Sequence, residues 1–552
     1  QDRPSLYDPY ADRPEPLVAR SLRVGVGGDG SFTLPEAEAV AISLVNGHIE
    51  REREQDLAAA VARQNPGIPV SVSSVVAGEF REYERTSTTV LNAYLTPVTA
   101  TYLQALSARL LDSGIVGSLG VMRSSGGLMS AQDAAALSAA VLLSGPAGGV
   151  VAAAAFAGEL GYDRVVSFDM GGTSTDVCRI EGGDIEVSHE RSIDGYACRL
   201  PAVGVHSVGA GGGSIAWIDP GGALRVGPQS AGAHPGPACY GNGGTEATVT
   251  DANVVLGRIG ADTKLGGRLA LDAPAALAAV SVVADRLGMS VTDAALGIVR
   301  ISEEVMAGAI RTVSVEQGSD PRGAQLIAFG GAGGLHATAL ARSLGMQGAI
   351  IPPYGGVFAA LGLLLAPPRT DGARAVLIRS DDLSPVEGAA EELHAEIGQT
   401  LGRAGFPDPQ ITFAVDVRYL GQAHEISVPW LRGDTIGDVR RRFDVLHRER
   451  NGFDRPEDAI EIVTVRGVGV ALPVLSIEDV ATWSPRAARA DTRRRVIVDG
   501  EWSEVLVVDR AGLRAGDVIE GPAVIEEAES TTYLSQGDRA VIGRSGAIEV
   551  TW

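Results

Sequence analysis

The sequence predicts a mixed α/β fold with a smaller α+β region towards the C-terminus, and three observations carry that prediction. Apolar runs of strand character alternate with segments of helical periodicity through most of the chain. One such unit, "LIAFGGAGG" followed by "LHATALARS", passes from strand through a glycine loop into a helix start, where free amides and the helix dipole favour a phosphate or ribose. The composition then shifts at "APPRTDGAR" (366–374), which marks a domain boundary. At 552 residues the chain exceeds what one core supports, so two to four domains are expected.

Taken in order, "QDRPSLYDPYADRPEP" reads as a proline-rich loop, neither Met-initiated nor signal-like, and suggests that something upstream is missing. Residues 37–45, "AEAVAISLV", read as a buried strand, and "SVSSVVAGEF" (71–80) as a second strand running into a turn. Residues 84–114 carry Leu91, Tyr94, Leu95, Tyr102, Leu103, Leu106, Leu110 and Leu111 at helical spacing, giving a long helix or a kinked pair around Pro97. "SLGVMRSSGG" (118–127) is a strand ending in a glycine turn, and a small-residue helix restarts after Ser144-Gly145-Pro146. Residues 165–168 and 177–180 read as strands about Gly171-Gly172, a two-residue hairpin turn signal. Residues 181–250 are strand- and loop-rich, and helical patterns follow at about 273–288, 291–314 and 335–344. "GGVFAALGLLLAPP" (355–368) is a buried helix closed by prolines. Beyond the boundary come a helix at about 385–404, the strand "ITFAVDVRYL", a helix at 435–449 and alternating strands to the end.

The composition, 45% hydrophobic and 21% charged, is that of a globular chain. A net charge of −22 argues against a nucleic-acid surface, which needs clustered Lys and Arg, but leaves nucleotide binding open through backbone amides and a metal ion. No apolar run reaches the ~18 residues of a membrane span. Cys178, Cys198 and Cys239 lack CxxC spacing and read as reduced thiols of a cytoplasmic protein. The 71 glycines cluster in runs such as "GAGGGS" (209–214), which suggests close backbone approach to a bound group.

Four constellations bear on chemistry. In "SFDMGGTSTDVCRI" (167–180), Gly171 and Gly172 can turn amides towards a phosphate because they tolerate positive φ, and Thr173, Ser174 and Thr175 add hydroxyls. Asp169 and Asp176 can hold Mg²⁺, directly or through its waters, or orient a nucleophile. An isolated GGT turn is equally a plain hairpin with two solvated acids. "FGGAGGLHA" (329–337), with Gly330, Gly331, Gly333 and Gly334, is suited to lie against a sugar and base, and "VGAGGGSIA" (208–216) supplies Gly211 and Gly212. In "HPGPACYG" with "TVTDANVVLGR", His234, Cys239 and Asp251 are a conceivable metal set, although the His-Pro-Gly-Pro frame fixes a loop more than it presents ligands. Asp251 and Asn253 suit helix or turn capping. His206 and Arg258 read as satisfied core or loop groups, and Glu526, Glu527 and Glu529 as a solvated acidic strand or turn. Four glycine-rich motifs in order point to nucleotide phosphate chemistry.

With "ERTSTTVLNAYL" (84–95), "MRSSGGLMS" (122–130), "LLSGPAGGV" (142–150), "DVRYLGQAHEISV" (416–428) and "EGPAVIEEAESTTYL" (520–534), these motifs resemble the hydantoinase A / 5-oxoprolinase family nearly end to end. That family includes N-methylhydantoinase A-type subunits and is related to ATP-binding subunits of acetone and acetophenone carboxylases. The resemblance implies an actin/sugar-kinase-like, two-lobed ATPase core with a C-terminal α+β domain, using ATP and Mg²⁺. It implies that residues 167–180 are the second phosphate hairpin and 329–337 the adenosine loop. Asp176 would be the catalytic carboxylate or a water-mediated Mg²⁺ partner, Asp169 would support the metal, and Thr173 and Thr175 would hold phosphate. The implied reaction phosphorylates the oxygen of a cyclic amide so that a B-type partner subunit can hydrolyse the ring.

The implied division is 1–90 as the remainder of an N-terminal lobe, 91–368 as the ATPase domain and 369–552 as the C-terminal domain. Members of the family open with a further GGT-type hairpin, which is not found here. The run between Ser31 and Ala37 leaves no room for the helix expected before "AVAISLV", and "LVNGHIEREREQ" is tight where the family has a longer loop, so a cut chain or unrecorded segments are inferred. Competing readings are an ATP-using subunit of a ketone carboxylase, a nucleotide-binding partner without turnover, and a small-molecule kinase.

Overall fold

The computed structural model describes residues 14–28, 30–379, 381–480 and 483–552, so most of the opening proline-rich segment lies outside the described residues. Two compact units emerge, and both are discontinuous in sequence. The first gathers residues up to 144 with 187–202 and 366–473; the second gathers 145–186, 203–365 and 474–552. The composition shift at 366–374 therefore marks a return of the chain to the first unit.

In the first unit, strands Val40–Ile42 and Val70–Val72 pair in parallel and pack with the helices Arg51–Gln64 and Glu82–Asp112. The latter is one helix that runs through Pro97. The expected strand at 71–80 is only three residues long and turns into the short helix Ser73–Val76. The cause is tertiary: the buried Glu54 carboxylate accepts from the Ser73 hydroxyl (2.7 Å) and the Ser74 amide (2.9 Å) and so holds a helix start where the residues alone favour strand. The same unit holds a four-stranded antiparallel sheet in the order Arg369–Ile378, Ile460–Val470, Gln410–Tyr419, Ile426–Trp430. Helices Ser384–Arg403 and Ile436–Asn451 bury Leu393, Ile397, Val439 and Phe443 against it.

The second unit is built on a nine-stranded sheet. At its centre Arg164–Met170, Gln325–Phe329 and Gly348–Ile351 run parallel. All five residues of Gln325–Phe329 are buried, as a central parallel strand requires. Thr175–Glu181 folds back antiparallel on Arg164–Met170 with Asp169 opposite Asp176, and His206–Val208 pairs on its far side. The hairpin is as expected, but its turn is not. Met170 pairs with Thr175, leaving a four-residue tip at 171–174 closed by the Gly171 amide on the Ser174 carbonyl (3.1 Å), and neither Gly171 nor Gly172 has a positive φ. Helices Ala273–Leu287, Val291–Val313 and Gly333–Ser343 fall where the periodicity places them. The C-terminal residues add strands to the large sheet and form a second four-stranded sheet ending at Thr531–Leu534. Cys178, Cys198 and Cys239 are buried free thiols. Among the described residues no single helix is long and apolar enough to cross a membrane.

Candidate functional site

In the second unit, the parallel strands Arg164–Met170 and Gln325–Phe329 end side by side, with Phe329 in register with Asp169. Their C-terminal ends therefore bring the hairpin tip and the glycine loop together, at the edge where open α/β sheets bind ligands. The Ala332 amide donates to the Met170 carbonyl (3.1 Å), and the Gly330 amide to the Gly355 carbonyl (2.9 Å). Gly330 sits at φ +81, and a Cβ there would lie 2.4 Å from Asp169 Oδ1 and 2.4 Å from the Met170 carbonyl oxygen. Only glycine fits that contact.

Asp169 and Asp176 are half-buried neighbours. The Asp169 carboxyl is pushed up to about 6 by burial and then by the charge of Asp176. It has no hydrogen-bond or ion-pair partner among the described residues. Asp176 is also raised by burial, against the Ser207 hydroxyl that donates to it. No local signal in the sequence marks Ser207, because only the pairing of His206–Val208 with Thr175–Glu181 places it opposite Asp176.

At the tip, Gly172 has nothing within 4 Å of a Cβ position, and Gly171 only the Ser174 carbonyl oxygen at 3.9 Å. Thr173 is exposed, Ser174 half-exposed, and neither hydroxyl has a partner among the described residues. Thr175 differs: it is buried, and its hydroxyl donates to the Ala210 carbonyl (2.5 Å), so that expected phosphate hydroxyl is already engaged. Gly211 and Gly212 are engaged as well. The Gly211 amide donates to Ser214 Oγ (2.8 Å) and the Gly212 amide to the Gly171 carbonyl (3.0 Å), while a Cβ on Gly211 would lie 2.7 Å from the Gly172 backbone. This run buttresses the tip from behind.

The hydantoinase/oxoprolinase family model matches residues 85–372, and the model of that family's C-terminal domain matches 381–546. The chain belongs to the hydantoinase/oxoprolinase family. It is 34% identical to the caprolactamase subunit alpha of Pseudomonas jessenii over 99% of this chain and 84% of that protein. It is 31% identical to the acetophenone carboxylase gamma subunit of Aromatoleum aromaticum over 95% of this chain and 78% of that protein. The crystal structure of the ATP-dependent caprolactamase from Pseudomonas jessenii superposes with a TM-score of 0.85 at 33% identity, covering 99% of this chain and 84% of that one.

A magnesium–nucleotide complex would fit these residues on one observation, the adjacent carboxylates without a counter-charge among the described residues. A cation there removes the repulsion that burial exposes. Mg²⁺ commonly takes one or two carboxylates and completes its shell with water and phosphate oxygens. No set of three or more His, Cys, Asp or Glu able to hold a metal is present among the described residues, so a metal here would draw its other ligands from water and phosphate oxygens.

The remaining sequence candidates resolve differently. Gly331 lies 3.4 Å, at its Cβ position, from the Glu529 carbonyl oxygen, and Gly333 makes only ordinary contacts. Gly334 presses on the strand Thr531–Leu534, where a Cβ would be 2.6 Å from Thr532 Oγ1 and 2.8 Å from the Thr531 carbonyl oxygen. Asp251 accepts from the amides of Ala238, Cys239 and Thr248 and from the Thr248 hydroxyl, which completes a capping box on Val249–Val255. With those lone pairs taken and His234 exposed, the His234–Cys239–Asp251 set fixes a loop. Burial raises the Cys239 thiol well above its ordinary range, which makes it a poor nucleophile. The acidic run is not a solvated strand: Glu526 is buried on Arg494 (2.6 Å) and Arg489 (3.1 Å), and Glu527 accepts from the Tyr354 amide (3.1 Å) and the Ser530 hydroxyl (2.9 Å). Only Glu529 is exposed.

Proposed function

We propose that this chain is the ATP-using subunit of a cyclic amidase. It would transfer a phosphoryl group to the ring amide oxygen, and a B-type partner subunit would hydrolyse the activated ring. The observation that carries the reading is the pair Asp169–Asp176, without a counter-charge, at the mouth of an open glycine turn in a chain similar along 99% of its length to a caprolactamase subunit. ATP supplies the phosphoryl group and Mg²⁺ the charge neutralisation that phosphoryl transfer requires. The amide of Gly172 with the hydroxyls of Thr173 and Ser174 cradles phosphate, the Gly171 amide closing the turn on the Ser174 carbonyl, and Asp169 and Asp176 hold the metal. Asp176, oriented by Ser207, is the carboxylate nearest the chemistry. Gly330, Gly331 and Gly333 present the backbone face for the adenosine, while Gly334, Gly211, Gly212 and Thr175 fix the walls.

The reading includes an actin/sugar-kinase-like, two-lobed core and the segment division 1–90, 91–368 and 369–552. Nothing in the candidate site pairs a nucleophile with a base and an orienting group, which supports a partner for ring hydrolysis. A carboxylase reading is favoured by the acetophenone carboxylase relative, at lower identity. The test measures ATP hydrolysis by the chain, alone and with its candidate partner, on lactams, hydantoins, oxoproline and ketones, with and without bicarbonate. Turnover dependent on a cyclic amide and indifferent to bicarbonate is expected. Turnover dependent on ketone and bicarbonate overturns the amidase assignment.

A further inference from the structure

The motif "FGGAGGLHA" contains a histidine that the phosphate chemistry does not use. His336 lies in the first turn of the helix Gly333–Ser343, just past Gly334, and its side chain is fully buried. Its Nδ1 is 3.0 Å from Glu303 Oε1, while its Nε2 is buried without a hydrogen-bond partner. A carboxylate only accepts, so Nδ1 carries the shared proton and Nε2 stands idle. Glu303 belongs to Val291–Val313, the helix that packs on Thr175–Glu181, on His206–Val208 and on Gly333–Ser343. No Arg or Lys pairs with Glu303 among the described residues, so His336 is its partner.

This contact stabilises poorly but locates well. The two helices otherwise contribute Met306, Ala307, Ile310, Ala337, Leu340 and Ala341 to one apolar cluster. Apolar contact is non-directional, so small aliphatic surfaces leave a helix free to slide and rotate on its neighbour, whereas a hydrogen bond fixes both. Among the described residues Glu303–His336 is the one hydrogen bond between these two helices. His447, buried in the first unit, has both ring nitrogens engaged, Nδ1 with the Phe453 carbonyl (2.7 Å) and Nε2 with the Gln422 side chain (3.2 Å). His336 leaves one idle, a loss of stability that an aliphatic side chain would not incur. What the pair supplies is direction, at the helix turn where the glycine loop ends. The start of that loop is held by Gly330 against Asp169 and by the Ala332 amide on the Met170 carbonyl (3.1 Å). Its end is held by Gly334 against Thr532 and by this pair.

We propose that Glu303 and His336 are positioning residues for the nucleotide: their hydrogen bond sets the helix Gly333–Ser343 on Val291–Val313 and so holds the backbone face of the glycine loop against the adenosine. The inference rests on the ATP reading of that loop and adds to it the residues that place it. Adenosine is remote from the transferred phosphoryl group, so losing the pair removes binding common to the ground and transition states, which raises KM and spares kcat. The test compares the parent with Glu303→Ala, Glu303→Gln and the double variant Glu303→Leu/His336→Leu. Each is measured for ADP affinity by calorimetry, for KM and kcat in ATP hydrolysis, and for melting temperature. Glu303→Ala should weaken ADP binding and raise the KM for ATP about tenfold, with kcat within about twofold of the parent. Glu303→Gln keeps an acceptor for the Nδ1 proton and should stay close to the parent in both. The double variant replaces both polar partners by apolar groups, so it should melt at or above the parent and still show the raised KM. A merely structural role cannot produce that combination.

Parent-like ADP affinity and KM in a folded Glu303→Ala protein overturn the proposal and leave the ATP reading intact. Parallel losses of melting temperature, kcat and affinity mark a structural role and also overturn it, as does a Glu303→Gln protein no better than Glu303→Ala. If the double variant fails to fold, the contrast between Glu303→Ala and Glu303→Gln decides. A parent that binds no ADP overturns the ATP reading of the loop, and this inference with it.

Discussion

The hairpin tip at 171–174 and the glycine loop at 330–334 look alike as sequence, but their glycines answer to different neighbours. At the tip, a side chain on Gly172 would meet nothing within 4 Å, so glycine there is not required by the protein's own packing. In the loop, side chains on Gly330 and Gly334 would collide with Asp169, Met170, Thr531 and Thr532. The run at 209–213 belongs with the loop, since it packs on the back of the tip. A glycine cluster thus signals close backbone approach, but only the fold tells whether the approaching group is a ligand or another strand. The two regions should therefore separate under mutation into function without stability and stability before function.

The largest effect is expected at the tip. Asp176→Asn should lower ATP turnover a hundredfold or more, as removal of a group acting on transition-state charge typically does. The melting temperature should stay within a few degrees, since burial already disfavours the Asp176 charge. Turnover within a fewfold of the parent would remove Asp176 from the chemistry.

The sharpest test of the contrast is a matched pair of glycine variants. Gly334→Ala places a methyl 2.6 Å from Thr532 Oγ1 and 2.8 Å from the Thr531 carbonyl oxygen, an overlap that should cost about 1–3 kcal/mol and several degrees of melting temperature. Gly172→Ala should leave stability within about 0.5 kcal/mol while raising the KM for ATP. Were Gly172→Ala silent in both assays, the tip would lose its standing as a phosphate cradle.

This contrast also marks how far the sequence could be read. The hairpin, the strand–loop–helix at 325–343 and the long helices were legible because period and turn chemistry are local. The helix at 73–76 was not, because its start is held by Glu54 from another element. Nor was the discontinuous first unit, whose separate segments are held by pairs such as Ser125–Asp371 and Glu79–Arg466, far apart in sequence and without a local signature. For the same reason the carboxylates of the candidate site were found, while Ser207 and the engagement of Thr175 with Ala210 were not.

Asp169 lies where the two regions touch, and its titration offers a test of intermediate size. Its carboxyl is raised from 3.8 to about 6, so the folded state binds the extra proton. Its contribution to stability is complete below 3.8 and is lost as the pH rises through about 6. Asp169→Asn, which never ionises, should melt higher than the parent at pH 7.5, and the difference should vanish below pH 4. Magnesium with ATP should raise the parent and not the variant, narrowing the gap. A gap independent of pH would mean that repulsion at this pair is not what the variant relieves.

The smallest effect is expected from Ser207→Ala. The Ser207 hydroxyl donates to the Asp176 carboxylate and favours its ionised form, opposing the upward push of burial. Without it the Asp176 pKa rises further, so a larger fraction of the carboxyl is protonated on the acid side. A reaction that needs the carboxylate should then lose kcat on the acid side of its pH profile and almost nothing on the alkaline side. The fold should be untouched, because Ser207 is exposed on a strand whose pairing runs through the backbone. Measuring kcat across that range separates the two ways in which the hydroxyl can act. A loss confined to low pH assigns it to the charge of Asp176, whereas an equal loss at every pH assigns it to the orientation of the carboxylate.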